Sequence, residues 1–189
     1  LSRLDSGDLV SHPRAFAVQP ILQSLSDTYQ GSARQKGLSL RVHPTACWAY
    51  SDPLLLERAL SNMVVNAIRY TERGGVLLAA RPRGKQLSLE VIDTGIGIEP
   101  EDQQFVFEEF VQLGNPQRDP EKGSGLGLAT VRRIADRLGH QISLRSRVGR
   151  GSRFAIMVPH ALAARGPLAP AASVAAEQAP MQGRVLLVE

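Results

Sequence analysis

Asn62-Met63-Val64-Val65-Asn66-Ala67-Ile68-Arg69-Tyr70-Thr71 closes the strongest helical pattern in the chain and sets two carboxamides inside it. The pattern opens at Ser51-Asp52-Pro53, a capping residue followed by proline at the first helical position. Leu55, Leu56, Leu60, Met63, Val64, Ala67 and Ile68 then recur at the spacing of one apolar face. Residues four apart share a side of a helix, so Asn62 and Asn66 stand one above the other. An amide oxygen is a hard ligand of the kind Mg²⁺ takes. Two asparagines alone equally fit a solvent-facing or core-capping role.

Downstream, residues 76–80 and 87–92 read as two strands joined by the hairpin Arg81-Pro82-Arg83-Gly84-Lys85. The second strand runs into Asp93-Thr94-Gly95-Ile96-Gly97-Ile98. A carboxylate at a strand end followed by two glycines lets backbone approach a ligand closely, although an ordinary glycine turn has the same pattern. Residues 105–113 form a short apolar segment of one or two helical turns, and 114–123 a polar loop. Gly123-Ser124-Gly125-Leu126-Gly127-Leu128 then opens a helix predicted over 126–138 and closed by Gly139. A glycine-rich helix start presents free N–H groups and the positive end of the dipole to an anion. No Gly-Lys-Ser/Thr follows, which excludes a Walker loop, and the polar loop before it does not fit a Rossmann turn. Residues 142–146 and 154–158 make a last hairpin.

Upstream, Leu38, Leu40 and Val42 alternate as in a half-buried strand, and Cys47-Trp48-Ala49-Tyr50 reads as a short buried one. Phe16, Ile21, Leu22, Leu25 and Tyr29 suit a helix over 16–33. Residues 1–7 read as the tail of another helix. After Pro159 the chain turns to alanine and proline over 160–182, a flexible linker, and Val185-Leu186-Leu187-Val188 then reads as a lone buried-type strand.

The 189 residues suffice for one substantial core, built mostly of Leu, Val, Ile and Ala because aromatics make up only 5%. The +4 net charge is spread without a run of five basic residues, so no nucleic-acid partner is expected. One cysteine, Cys47, excludes an intrachain disulfide and is expected to be an inert core thiol. His12, His43, His140 and His160 lack metal-ligand spacing. No apolar stretch reaches the ~20 residues of a membrane span. A cytoplasmic location is expected, compatible with a larger parent protein anchored in the inner membrane.

In order and spacing, Asn66 to Thr71, Asp93 to Ile98, Phe107-Glu108-Glu109-Phe110 and Gly123 to Leu128 resemble the asparagine, first glycine, phenylalanine and second glycine boxes of bacterial sensor histidine kinases. The resemblance covers residues 50–158. It implies the ATP-binding Bergerat fold, an α/β two-layer sandwich with a mixed β-sheet covered on one face by helices. It also implies ATP and Mg²⁺ as cofactors. Asp93 would accept a hydrogen bond from the adenine amino group, and Tyr70 would lie against base or ribose. Gly95, Gly97 and Ile98 would shape the adenine pocket. Asn66 would hold Mg²⁺ against the phosphates, with Asn62 nearby and Arg69 on a phosphate. Gly123, Gly125, Leu126, Gly127 and Leu128 would bring the helix start to the triphosphate, under a lid over 112–124 that offers Lys122. Phe107 and Phe110 would anchor the lid in the core. Glu109 stands where many relatives have arginine, an acidic form common in hybrid kinases.

Related ATPases place a glutamate one helical turn before the metal-binding asparagine, where this chain has Asn62. An amide cannot act as general base, which favours phosphoryl transfer over hydrolysis. The family's acceptor is a histidine followed by an acidic residue, and none of the four histidines here has that setting. The resemblance therefore implies an acceptor on an upstream dimerisation hairpin, whose end would be residues 1–15. The catalytic domain would cover 16–159, the linker 160–182, and 183–189 would be the first strand of a receiver domain. On this reading the fragment is a monomer that binds Mg-ATP without labelling itself, within a dimeric parent. Its partners are its own acceptor domain and a receiver domain or response regulator. An ATP-independent regulatory module and an anti-sigma-type serine kinase share the fold and stand as alternatives. Intact glycine boxes, Asp93 and Asn66 weigh against the first, and the tail and Leu113-Gly114-Asn115-Pro116 against the second.

Overall fold

Asp52 starts helix α2 (Pro53–Tyr70), its Oδ1 accepting from the backbone N–H of Leu54 and Leu55 at 3.0 and 3.1 Å. Its Oδ2 accepts from the N–H of His12 at 2.8 Å. Burial pushes the Asp52 carboxyl up, but the three N–H donors, together with the charge interaction with His12, outweigh it and hold the group below its ordinary value. The apolar face read from the sequence is buried throughout, with Leu56, Leu60, Met63 and Val64 at 1% exposure or less.

What α2 packs against is a mixed sheet. The computed structural model describes residues 11–111 and 125–162. In chain order they form β1 (Arg14–Ala17), α1 (Val18–Gln35), β2 (Ser39–Val42), β3 (Trp48–Ser51), α2, β4 (Gly75–Arg83), β5 (Gln86–Asp93), α3 (Gly127–Leu138), β6 (Gln141–Arg147) and β7 (Gly151–Ala161). The sheet runs β1-β3-β7-β5-β4-β2, and β6 pairs with β7. Only β2 and β4 run parallel; the remaining pairs are antiparallel.

Register separates the two faces. Leu40, Leu78, Val91, Phe154 and Ile156 point to the helices and join the α2 residues in one apolar core. Their immediate chain neighbours point the other way, because strand side chains alternate. Each large side chain buried this deeply stabilises the fold by about 1.5–3 kcal/mol, which is why α2 is held between α1, α3 and the sheet.

Several boundaries differ from those read in the sequence. The expected helix from residue 16 begins at Val18, because Phe16 pairs across Ala49 of β3 and residues 14–17 are drawn into the sheet. Strand β7 likewise continues through His160 to Ala161, which pairs with Trp48, so these two residues belong to the sheet and not to a linker. The β4–β5 turn is shorter than expected, closing between Arg83 and Gln86. Pro82 is tolerated inside β4 because β2 pairs only as far as Leu78, leaving the proline's edge without a ladder partner. Cys47 lies just before β3, half-buried against the core. Helix α3 ends as predicted at Gly139, with φ 66°. The readings for residues 1–10, 112–124 and 163–189 lie outside the described residues.

Candidate nucleotide site

Asp93 ends β5 and is 6% exposed. Its Oδ1 accepts from the N–H of Gly95 at 2.8 Å and of Ser152 at 3.1 Å. Among the described residues its Oδ2 has no hydrogen bond, and the residue lines a cavity. Burial raises the Asp93 carboxyl above its ordinary range despite the two N–H donors, which act to lower it. A buried carboxylate with one oxygen fixed and one open is an acceptor waiting for a donor.

The glycines around it allow close backbone contact. A side chain at Gly95 would come within 2.3 Å of the Tyr70 carbonyl, which ties the loop to the end of α2. Gly97 has φ 74°, and a Cβ there would meet the Arg147 carbonyl at 2.2 Å. The loop is pinned from both sides, by Ile96 N–H to Tyr70 O at 3.2 Å and Gly149 N–H to Ile96 O at 2.7 Å. Ile98 N–H donates to Ser146 Oγ at 2.8 Å.

Two chambers make the cleft. The inner one is lined by Asn66, Tyr70, Asp93, Gly97, Ile98 and Leu128, among others. The outer one, partly open to solvent, is lined by Asn62, Asn66, Arg69, Gly125, Leu126 and Gly127, among others. Asn66, Tyr70 and Leu128 border both. Among the described residues no side chain caps the start of helix α3 at this mouth, which leaves its first-turn N–H groups open to a ligand. A Cβ on Gly127 would lie 3.5 Å from Asn66 Nδ2, which puts the helix start directly over the asparagine. An apolar slot with a carboxylate at its depth takes a flat ring bearing an amino group. A mouth of helix-start amides with a guanidinium beside it takes a polyanion.

Of the residues singled out in the sequence, Asn62, Asn66, Arg69, Tyr70, Asp93, Gly97, Ile98, Gly125, Leu126, Gly127 and Leu128 all border this cleft, and Gly95 braces Asp93. Lys122, Gly123 and the lid over 112–124 lie outside the described residues. Phe107 packs against the core, meeting Phe154 edge-on at 6.1 Å. Phe110 does not: it is 61% exposed, with φ 64°, and its N–H donates to Gly125 O. Its left-handed backbone turns the ring outward, away from the core. Glu109 forms an ion pair with Arg133 of α3.

Sequence reasoning missed Ser152 and Gly151. Gly151 has φ 90°, and a Cβ there would lie 2.0 Å from the Asp93 carbonyl, so only glycine lets Ser152 N–H reach the carboxylate. Gly149-Arg150-Gly151 falls in the connection of the last hairpin, and nothing in it points to Asp93. Among the described residues no cluster of three His, Cys, Asp or Glu side chains could hold a metal. An ion here would rest on the Asn66 amide, water and the ligand's own oxygens, a donor set that fits Mg²⁺.

Residues 51–162 match the family described as histidine kinase-, DNA gyrase B-, and HSP90-like ATPase. The chain belongs to this family. The matched segment is the ATP-binding catalytic domain of such ATPase-family proteins, and it contains both chambers of the cleft. The chain is 31% identical over 167 residues to the autoinducer 2 sensor kinase/phosphatase LuxQ of Vibrio vulnificus, covering 84% of this chain and 20% of that protein. It is 32% identical over 161 residues to the sensor histidine kinase RcsC of Escherichia coli, covering 84% and 17%. It thus spans about a fifth of the length of these relatives. Among solved structures, full-length ShkA in complex with AMPPNP superimposes with TM-score 0.68 at 30% identity, over 82% of this chain and 32% of that one. No helix among the described residues is long and apolar enough to cross a membrane.

Proposed function

We propose that the cleft binds Mg-ATP with adenine in the inner chamber and phosphates at the mouth, and that it passes the γ-phosphoryl group to a histidine on a separate helical domain of a two-component sensor kinase. The observation that carries this reading is Asp93 Oδ2, the oxygen of a buried carboxylate that has no hydrogen bond among the described residues and faces an apolar slot. It accepts the adenine amino group, while Tyr70 and Ile98 cover the ring. Leu126, Gly127 and Leu128 turn the uncapped start of α3 to the phosphates, and Arg69 neutralises charge beside them. Asn66 would hold Mg²⁺, which when bound supplies further charge neutralisation of the triphosphate.

Transfer is favoured over hydrolysis by Asn62. This residue lies one turn before Asn66 on the same cleft wall, and an amide there does not take a proton from water. Phosphoryl transfer needs mainly positioning and electrostatic stabilisation, which this wall provides. The relatives' names as sensor kinases support an acceptor and a receiver domain or response regulator as partners. On this reading residues 183–189 begin a receiver domain, and the domain works in the cytoplasm.

Titration of a fluorescent ATP analogue, with and without Mg²⁺, tests the site. Binding strengthened by Mg²⁺ is expected, and no binding would contradict the reading. Incubation with γ-labelled ATP should leave this chain unlabelled. An acid-labile phosphoprotein formed from the chain alone would contradict an acceptor located elsewhere.

A further inference from the structure

The sheet face turned away from the helices has a charge pattern that the nucleotide site does not use. Register puts Arg41, Leu77, Ile92, Arg153 and Arg145 in one row across β2, β4, β5, β7 and β6. Two residues along, the row is Ala79, Glu90, Ala155 and Ser143, followed by Arg81, Ser88, Met157 and Gln141. Alternation adds Arg83 and Arg147 at the two ends of the face. Six arginines therefore share it with Glu90, the one carboxylate among its strand positions.

Glu90 is 1% exposed and already neutralised. Its Oε1 accepts from Ser88 Oγ at 2.9 Å and lies 3.5 Å from Arg153 Nη1, and its Oε2 lies 3.3 Å from Arg81 Nε. Arg41, Arg83 and Arg145 are exposed and make no ion pair among the described residues. An ordinary solvated sheet face mixes charges of both signs. This one sets half-buried Leu77 and Ile92 in a row with Arg41, Arg153 and Arg145, places half-buried Met157 in the row of Arg81, and has no lysine at an outward strand position. Arginine and methionine are enriched, and lysine depleted, in protein–protein interfaces, where the guanidinium fork pairs carboxylates bidentately. No aromatic ring stands among the outward positions of these five strands, so the face lacks a stacking platform for single-stranded nucleic acid and an anchor for a lipid interface.

We propose that this outer face is a docking surface for a second protein module presenting clustered carboxylates. The surface acts independently of the cleft: Arg41 and Arg145 project from the side of the sheet opposite the core, and neither borders the nucleotide chambers.

Fluorescence anisotropy of a labelled oligoglutamate peptide with the full chain reads this out. The double variant Arg41→Glu/Arg145→Glu should bind the peptide about tenfold more weakly or worse. Reversing two exposed helix arginines, Arg34→Glu/Arg58→Glu, changes net charge equally and should cost no more than about threefold. Arg41→Gln/Arg145→Gln should fall between parent and double reversal, and every variant should keep the parent's affinity for the ATP analogue. Equal weakening by both reversed pairs would overturn the proposal, as would no peptide binding. Tighter binding to phosphatidylglycerol vesicles or duplex DNA than to the peptide, abolished by the same pair, would overturn it in favour of lipid or nucleic acid.

Discussion

Asp52 and Asp93 are almost equally buried, at 5% and 6% exposure, yet the molecule uses them in opposite ways. Both oxygens of Asp52 are taken, one by two amides at the start of α2 and the other by His12. Asp93 has one oxygen taken and the other left in a cavity. Three donors hold the first carboxyl below its ordinary value, whereas burial wins at the second and lifts it. The helix starts repeat the contrast: α2 is capped by Asp52, and α3 opens without a cap onto the cleft mouth. Saturated polar groups hold the fold together. Unsaturated ones in a cavity mark where a ligand completes the structure.

Replacement of each aspartate should separate the two roles. Asp93→Ala removes a charge-assisted bond of about 1.5–3 kcal/mol, so affinity for an ATP analogue should fall roughly ten- to a hundred-fold, measured by fluorescence titration. Its melting temperature should change little, since loss of a buried, incompletely bonded carboxylate is offset by the Gly95 and Ser152 N–H groups left without an acceptor. Asp52→Ala should do the reverse. Loss of the cap costs about 1–2 kcal/mol, or roughly 2–8 °C in Tm, with nucleotide affinity unchanged.

Acidity sharpens the contrast further. The Asp52 carboxyl lies below 3.8 in the folded state, so its stabilisation is full above that value and is lost as pH falls through the folded one. The Asp93 carboxyl lies above 3.8, so it favours the fold below that value and costs stability as pH rises through the raised one. Thermal denaturation of Asp93→Asn should therefore lack the decline that the parent shows above pH 3.8. Nucleotide affinity of the parent should weaken on acidification through the same interval, because a protonated Asp93 gives up its acceptor charge. The smallest effect belongs to Glu109→Gln. Its pair with Arg133 is exposed at both ends, and its removal should cost no more than about 1 kcal/mol in chemical denaturation.

The sequence made α2, α3 and both hairpins legible because each rests on local signals: a cap, a proline, a repeated apolar face, a terminal glycine. It also gave most of the cleft wall, since Asn62, Asn66, Arg69 and Tyr70 are fixed relative to one another by helical geometry alone. Contacts between distant segments were not legible. Phe16 fits a helical face as well as a strand until Ala49 lies beside it. Ser152 reads as an ordinary serine after a turn, and only the closed β5–β7 ladder brings its N–H to Asp93. Phe110 carries an aromatic ring in a motif that suggests burial, while its backbone has the left-handed turn that exposes it.

Backbone amide NMR under two titrations would test the cleft most directly. Adenosine alone should shift Gly95 and Ser152, whose N–H groups hold the purine-facing carboxylate, and leave Leu126 and Gly127, which line only the outer chamber, in place. Mg-ATP should shift both sets. If Mg-ATP binds while all four amides stay unmoved, the nucleotide sits elsewhere and the assignment of base to Asp93 and phosphates to α3 is wrong.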